Sequence, residues 1–145
     1  MFPQHHRKTV FILAPPAIVW EFLTNPTLMQ KWLSDDSIEV ITDWKIGGPI
    51  RILVDLHGIP MENRGVILQF EPFRLLCYSH LSSISQLEDN LENYTNLAFN
   101  LEAHPTHTAL TLDLSNFPTA SIYKHLAFYW NVTLELLKKV IEEHG

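Results

Sequence analysis

Ser115 to Gly145, SNFPTASIYKHLAFYWNVTLELLKKVIEEHG, is the stretch on which the fold turns. Ser115, Asn116 and Thr119 supply capping side chains, Pro118 suits a helix's first turn, and nothing afterwards breaks a helix until Gly145. At about 100° per residue, Ile122, Leu126, Tyr129, Thr133, Leu136, Leu137 and Val140 gather into one stripe, with Lys124, Asn131, Glu135, Lys138 and Glu142 opposite. The spacing predicts one amphipathic helix, about 39 Å long at about 1.5 Å per residue. An eleven-residue strand reaches roughly 36 Å, so such a helix covers a whole sheet.

Upstream the pattern changes from helical to alternating. Thr95, Leu97, Phe99 and Leu101 interleave with Tyr94, Asn96, Ala98 and Asn100; Pro105-Thr106-His107 turns the chain, and Leu110, Leu112 and Leu114 alternate with Thr111 and Asp113. The same period runs through Ile50, Ile52, Val54 and Leu56. It also runs through Arg64, Val66, Leu68 and Phe70, which read as one apolar face opposite Gly65, Ile67, Gln69 and Glu71. Arg74 to His80 is the returning strand and Ser82 to Glu92 a polar loop. Ile38, Val40 and Thr42 form a shorter strand that enters a loop holding Trp44 and Gly47-Gly48. Earlier still, Thr9 to Leu13 reads as a strand stopped by Pro15-Pro16. Two short helices, Pro16 to Leu23 and Pro26 to Trp32, follow, each with proline in its first turn. The order is strand, two short helices, six strands, long helix. Short connections suit an antiparallel α+β sheet, because parallel strands need a crossover after each one.

The 145 residues are one domain's worth, and residues 1–145 show no repeat or linker. A composition of 46% hydrophobic and 18% charged residues supplies a core and argues against disorder. Five glycines, at 47, 48, 58, 65 and 145, allow neither GxGxxG nor GxxxxGK[ST], which excludes the usual nucleotide-binding turns. Ten basic against sixteen acidic residues, a formal −6, is the wrong sign for nucleic acid or an anionic membrane surface. Cys77 is alone, so there is no intrachain disulfide and no cysteine-based zinc site. With no secretion signal and no apolar run approaching the roughly 20 residues of a spanning helix, a cytoplasmic protein without membrane insertion is expected.

The order and residues together resemble the START-like, or SRPBCC (helix-grip), superfamily, and within it the AHSA-type domains, homologues of the activator of heat-shock protein 90 ATPase. The resemblance rests on Phe11-Ile12-Leu13-Ala14-Pro15-Pro16-Ala17-Ile18-Val19-Trp20-Glu21-Phe22-Leu23-Thr24-Asn25-Pro26 and the downstream Trp32. Gly47-Gly48, Gly65 to Pro72, Leu76-Cys77-Tyr78 and the terminal helix follow in the right order. It covers nearly the whole chain, on scaffold residues that carry no chemistry. It implies a curved seven-stranded antiparallel sheet around the C-terminal helix, with a partly hollow interior that in the superfamily takes lipids, polyketides or other apolar molecules.

Strand phase and family position put Trp32, Trp44, Phe70, Phe73, Tyr78, Phe99 and Tyr129 on or near that interior, with Leu112 on the inward phase of the last strand. Buried rings dominate cores with or without a ligand. Polar residues on apolar phases are more telling, since burying them unsatisfied costs roughly 1–3 kcal/mol each. Arg64, Tyr78, His80, Tyr129 and Thr133 are the candidates to orient a ligand's polar end. Arg64, at a strand start, equally reaches solvent, and Thr133 equally bonds back to its own helix. Eight histidines include His104 and His107 across one turn, but no HExxH or two-His-one-carboxylate run occurs, so neither a metal nor another cofactor is expected. Ser79-His80 with Glu62 makes no triad, because neighbouring strand residues face opposite ways. Phe128 and Val132, one turn apart on the outward side of the helix, fit cover by a second copy of the chain. The expected function is binding of a small, mostly apolar molecule, lipid-like, aromatic or polyketide-like, between sheet and helix. The alternatives are a cyclase or dehydratase using Tyr78, His80 or Arg64, and an interaction module of chaperone-cofactor type.

Overall fold

The computed structural model describes residues 2–144. Strand β1 (His5–Ile12) leads through Pro15 into helices α1 (Pro16–Thr24) and α2 (Pro26–Leu33). Strands β2 (Ile38–Thr42), β3 (Pro49–Leu56), β4 (Ile59–Glu71), β5 (Leu75–Ser82), β6 (Thr95–Ala103) and β7 (Thr108–Ser115) follow, then helix α3 (Ala120–His144). The strands form one antiparallel sheet in the order β1-β7-β6-β5-β4-β3-β2. Fold class, strand number and the two-helix corner are as expected from the sequence. Among the described residues no helix is long and apolar enough to cross a membrane.

The corner is locked by specific bonds. Pro16 begins α1, and the Asn25 side chain caps α2 by accepting the Thr27 N–H at 3.0 Å. The Trp32 indole N–H donates to the Phe22 carbonyl at 2.9 Å, fixing α2 against α1. Gln30 joins α2 to β2: its amide nitrogen donates to the Asp36 carbonyl and its oxygen accepts the Ile38 N–H.

Helix α3 is rotated from the expected stripe. Leu126, Trp130, Thr133, Leu134, Leu137 and Ile141 are its buried side chains, whereas Leu136 is 39% exposed. The spacing 126, 130, 133, 137, 141 is a cleaner helical seam than the one first read, and it brings in Trp130. The polar side of the helix does not simply face water but clasps the free edge of β1. His6 meets Asn131 at 2.9 Å, Lys8 meets Glu135 at 3.9 Å, Lys138 donates to the Phe11 carbonyl at 2.6 Å, and Glu142 accepts the Leu13 N–H at 2.9 Å. An edge strand's unpaired groups are thereby covered. His5 and His6 are the first two residues of β1.

Candidate functional site

Register decides which side chains point under the helix. The pairs Ile38↔Val54, Ile52↔Asn63, Val54↔Met61, Ile67↔Tyr78, Tyr78↔Leu97 and Phe99↔Leu112 all lie on the inner face. Along β4 that face is Met61, Asn63, Gly65 and Ile67. A bulge between Ile67 and Gln69 then shifts the phase and turns Phe70 inward, opposite Leu76. The expected single face of Arg64, Val66, Leu68 and Phe70 is therefore split. Val66 and Leu68 are 38% and 39% exposed on the outer side with Arg64, and only Phe70 of the four points inward.

Arg64 consequently has a different job. Its guanidinium contacts Glu62 at 3.2 Å and Asp89 at 3.1 Å, Glu62 also takes Arg51 at 2.8 Å, and the Tyr94 hydroxyl donates to Asp89 at 2.6 Å. This outer network ties the β5–β6 connection to β4. Arg51 and Arg64, directly opposite across the strands, are bridged by the carboxylate between them, which holds Glu62 below its ordinary range.

The interior rings fall into two groups. Trp32, Trp130, Phe99 and Tyr78 form a chain, with centroids 6.3 Å apart for Trp32–Trp130, 5.6 Å for Phe99–Trp130 and 6.1 Å for Tyr78–Phe99. Those are ring-packing distances, so the centre of the expected hollow is filled. Leu112 and Thr133 are buried in the same core. Trp44 and Phe70 are elsewhere: they pack 5.8 Å apart, and Phe70 lies 5.2 Å from Trp20 of α1.

The other end of the sheet is less closely covered. The backbone of α3 comes close to β1, α1 and α2 and less close to the β2–β5 part of the sheet. There Ile38, Val40, Leu56, Met61 and Tyr129 are apolar, face the interior and are only half-buried. Beside them stand Tyr78, His80 and Asn63 from the sheet, with Tyr129 and His125 from the helix, their rings stacked 6.4 Å apart. The Tyr129 hydroxyl donates to the Leu33 carbonyl, which ties α3 to the end of α2. Burial raises the hydroxyl pKa of both Tyr78 and Tyr129, keeping them protonated donors. Burial, and then His125, push His80 down to about 4, so its ring is neutral near pH 7. A groove of about 560 Å³ lies at the β2–β3–β4 edge; it shares Ile38 and Met61 with this end, and its other side chains, including Glu39, Leu53, Asp55 and Glu62, are mostly of outer phase.

Residues 13–142 match the model of the family described as activator of Hsp90 ATPase homolog 1-like protein. The chain belongs to that family. A solution structure from Cytophaga hutchinsonii is similar at 32% identity and TM-score 0.82, over 99% of this chain and 97% of that one. The Aha1 dimer of Colwellia psychrerythraea is similar at 20% identity and TM-score 0.74, over 95% of this chain and 96% of that one. DynU16, described as a putative protein in the dynemicin biosynthetic locus, is 20% identical with TM-score 0.75, over 97% of this chain and 48% of that one. No curated protein is significantly similar in sequence.

For this Hsp90-activator-like chain, then, the structure brings Tyr78, His80 and Tyr129 together at one half-open end. It puts Trp32, Phe99, Leu112 and Thr133 in the packed core behind them, moves Trp44 and Phe70 to α1, and turns Arg64 outward. Trp130, Asn63 and His125 were missed; Trp130 was readable from the helical seam, whereas Asn63 shares the phase of Gly65, which the alternation had placed on the outer face. His104 and His107 stack almost parallel, 4.5 Å apart and 8° between planes. Parallel rings direct their nitrogen lone pairs side by side rather than at one ion. Among the described residues no group of three or more His, Cys, Asp or Glu side chains is placed to hold a metal.

The His80 environment sets a pH dependence. Between about 4 and its ordinary 6.5 the unfolded chain binds a proton that the folded chain does not, so stability rises with pH across that window. The contribution is fully present above pH 6.5 and is lost as pH falls through about 4. Its upper bound is about 3 kcal/mol, since the ring keeps some exposure. Urea midpoints at pH 7, 6 and 5 are expected to fall more steeply for the natural chain than for His80→Gln. Equal slopes would show that His80 is not the group responsible.

Proposed function

We propose that the chain binds a small, mostly apolar molecule at the half-open end between β2–β5 and α3. The observation that carries this is an inner face whose apolar residues Ile38, Val40, Leu56 and Met61 stay half-exposed next to a neutral polar set, Tyr78, His80, Asn63 and Tyr129. Binding sites combine an apolar lining with a few placed polar groups in this way. The deep aromatic chain serves as the floor rather than as the walls of a large hollow. A similar fold in a protein of a biosynthetic locus is in keeping with a small organic ligand. The lone, half-buried Cys77 suits a reducing, cytoplasmic setting. Native mass spectrometry of the purified chain with 2-naphthol is expected to show a 1:1 adduct that weakens at least fivefold in Tyr129→Ala. No adduct, or one indifferent to Tyr129, would remove this reading.

The same proposal extends to a partner. Phe128 and Val132 are 73% and 54% exposed, and Leu136 continues the line one turn on, a stripe that suits a second copy of the chain. One structural relative is itself a dimer. Sedimentation is expected to show a dimer that Phe128→Asp converts to monomer; a natural chain that is monomeric at working concentration contradicts the assignment.

A further inference from the structure

From β2 to β7 the inner face lacks one kind of residue altogether. Among the described residues of β2–β7, the positions whose register turns them towards α3 include no Asp, Glu, Lys or Arg. The buried side chains of α3 include none either. Charges are close in sequence but directed away. Arg51, Glu62, Arg64 and Asp89 neutralise one another on the outer face, Lys8 is paired with Glu135 at the β1 edge, and Asp36 pairs with His57 outside the cleft. What faces the opening is hydroxyl, amide and imidazole: Tyr78, Tyr129, Asn63 and His80. Such groups satisfy a hydroxyl, carbonyl or amide, but none is a counter-ion, and an ion taken from water into apolar surroundings needs one.

We infer that the cleft selects ligands without a formal charge, an apolar body bearing a hydroxyl, carbonyl or amide, and turns away carboxylates and ammoniums of the same shape. This rests on the cleft being the binding site. The neutrality of His80 and of both tyrosines near pH 7 agrees with it, and the outward phase of Arg64 removes from this part of the sheet a basic side chain that would otherwise have met a carboxylate.

Two shape-matched series test it by calorimetry at pH 8: 1-octanol, octanoate and octylammonium, and 2-naphthol with 2-naphthoate. The alcohol in each series is expected to bind at least 100-fold more tightly than its charged analogue. The apparent affinity of each carboxylate is expected to rise about tenfold per pH unit from 8 to 6, because only its protonated form enters. His80→Lys should reverse the order in favour of the carboxylate, with Asn63→Lys serving the same purpose if that variant does not fold, while His80→Gln should leave it unchanged. Alcohol and carboxylate of equal affinity at pH 8 would overturn the selectivity and leave the cleft standing as a site. Failure of both series to bind would overturn the cleft reading and the selectivity with it.

Discussion

Gly65→Ala is expected to destabilise the fold by about 3 kcal/mol or more, a loss large enough to leave little folded protein. Gly65 faces inward on β4, where β5 crosses so closely that a methyl group would overlap the Ser79 carbonyl oxygen and come within 3.0 Å of the Ser79 hydroxyl. That hydroxyl accepts the Val66 N–H at 2.9 Å, so the contact also holds the strands in register. The obstacle is backbone in the middle of a sheet, and moving it would break the pairing of Arg64 with Leu81 and of Ile67 with Tyr78 on either side. Gly58→Ala is the control. Its φ of +91° is unfavourable for a side chain, but nothing lies within 4 Å, and about 1–2 kcal/mol is expected. Urea unfolding of the two variants checks the difference; a Gly65→Ala loss within 1 kcal/mol of the natural chain would mean the strands are not so closely apposed.

Trp130→Ala is the second large effect. Trp130 is 5% exposed and touches Trp32, Phe99 and Tyr129, so it joins helix α2, the sheet and the ring that rims the cleft. Truncating a buried tryptophan costs about 3–5 kcal/mol, the lost transfer energy and the cavity together. Part of that should return on adding an apolar molecule able to occupy the space, seen as a rise in Tm with 1-octanol that the natural chain does not match. A loss below 1 kcal/mol would place Trp130 outside the core.

The fold was legible because its signals are repeated. Thr95 to Leu101 and Leu110 to Leu114 alternate without interruption, Pro16 and Pro26 each start a helix, and 26 residues without a breaker, Thr119 to His144, precede Gly145. The site was legible only in part, and the losses have physical causes. A bulge after Ile67 inverts strand phase for the residues beyond it, so Phe70 ended on the face opposite Arg64, Val66 and Leu68, with which the alternation had grouped it. Nothing in the run Arg64 to Glu71 announces that extra residue. Choosing Leu136 over Leu134 displaced the helical stripe and left out Trp130, the side chain that fills the centre. Asn63 could not be seen as inward until Gly65 was known to face β5. Tyr78, His80 and Tyr129 were found because polar residues on apolar phases are costly and therefore few.

The central claim is that a small neutral, mostly apolar molecule enters between β2–β5 and α3. Backbone amide shifts of the natural chain titrated with 2-naphthol test it most directly. The account predicts the largest changes at Asn63, Tyr78, His80 and Tyr129, with little movement at Leu53 and Glu62 in the outer groove or at Phe128 on the back of the helix. Shifts concentrated in that groove or on the helix's outer stripe, or none at saturating probe, would contradict it.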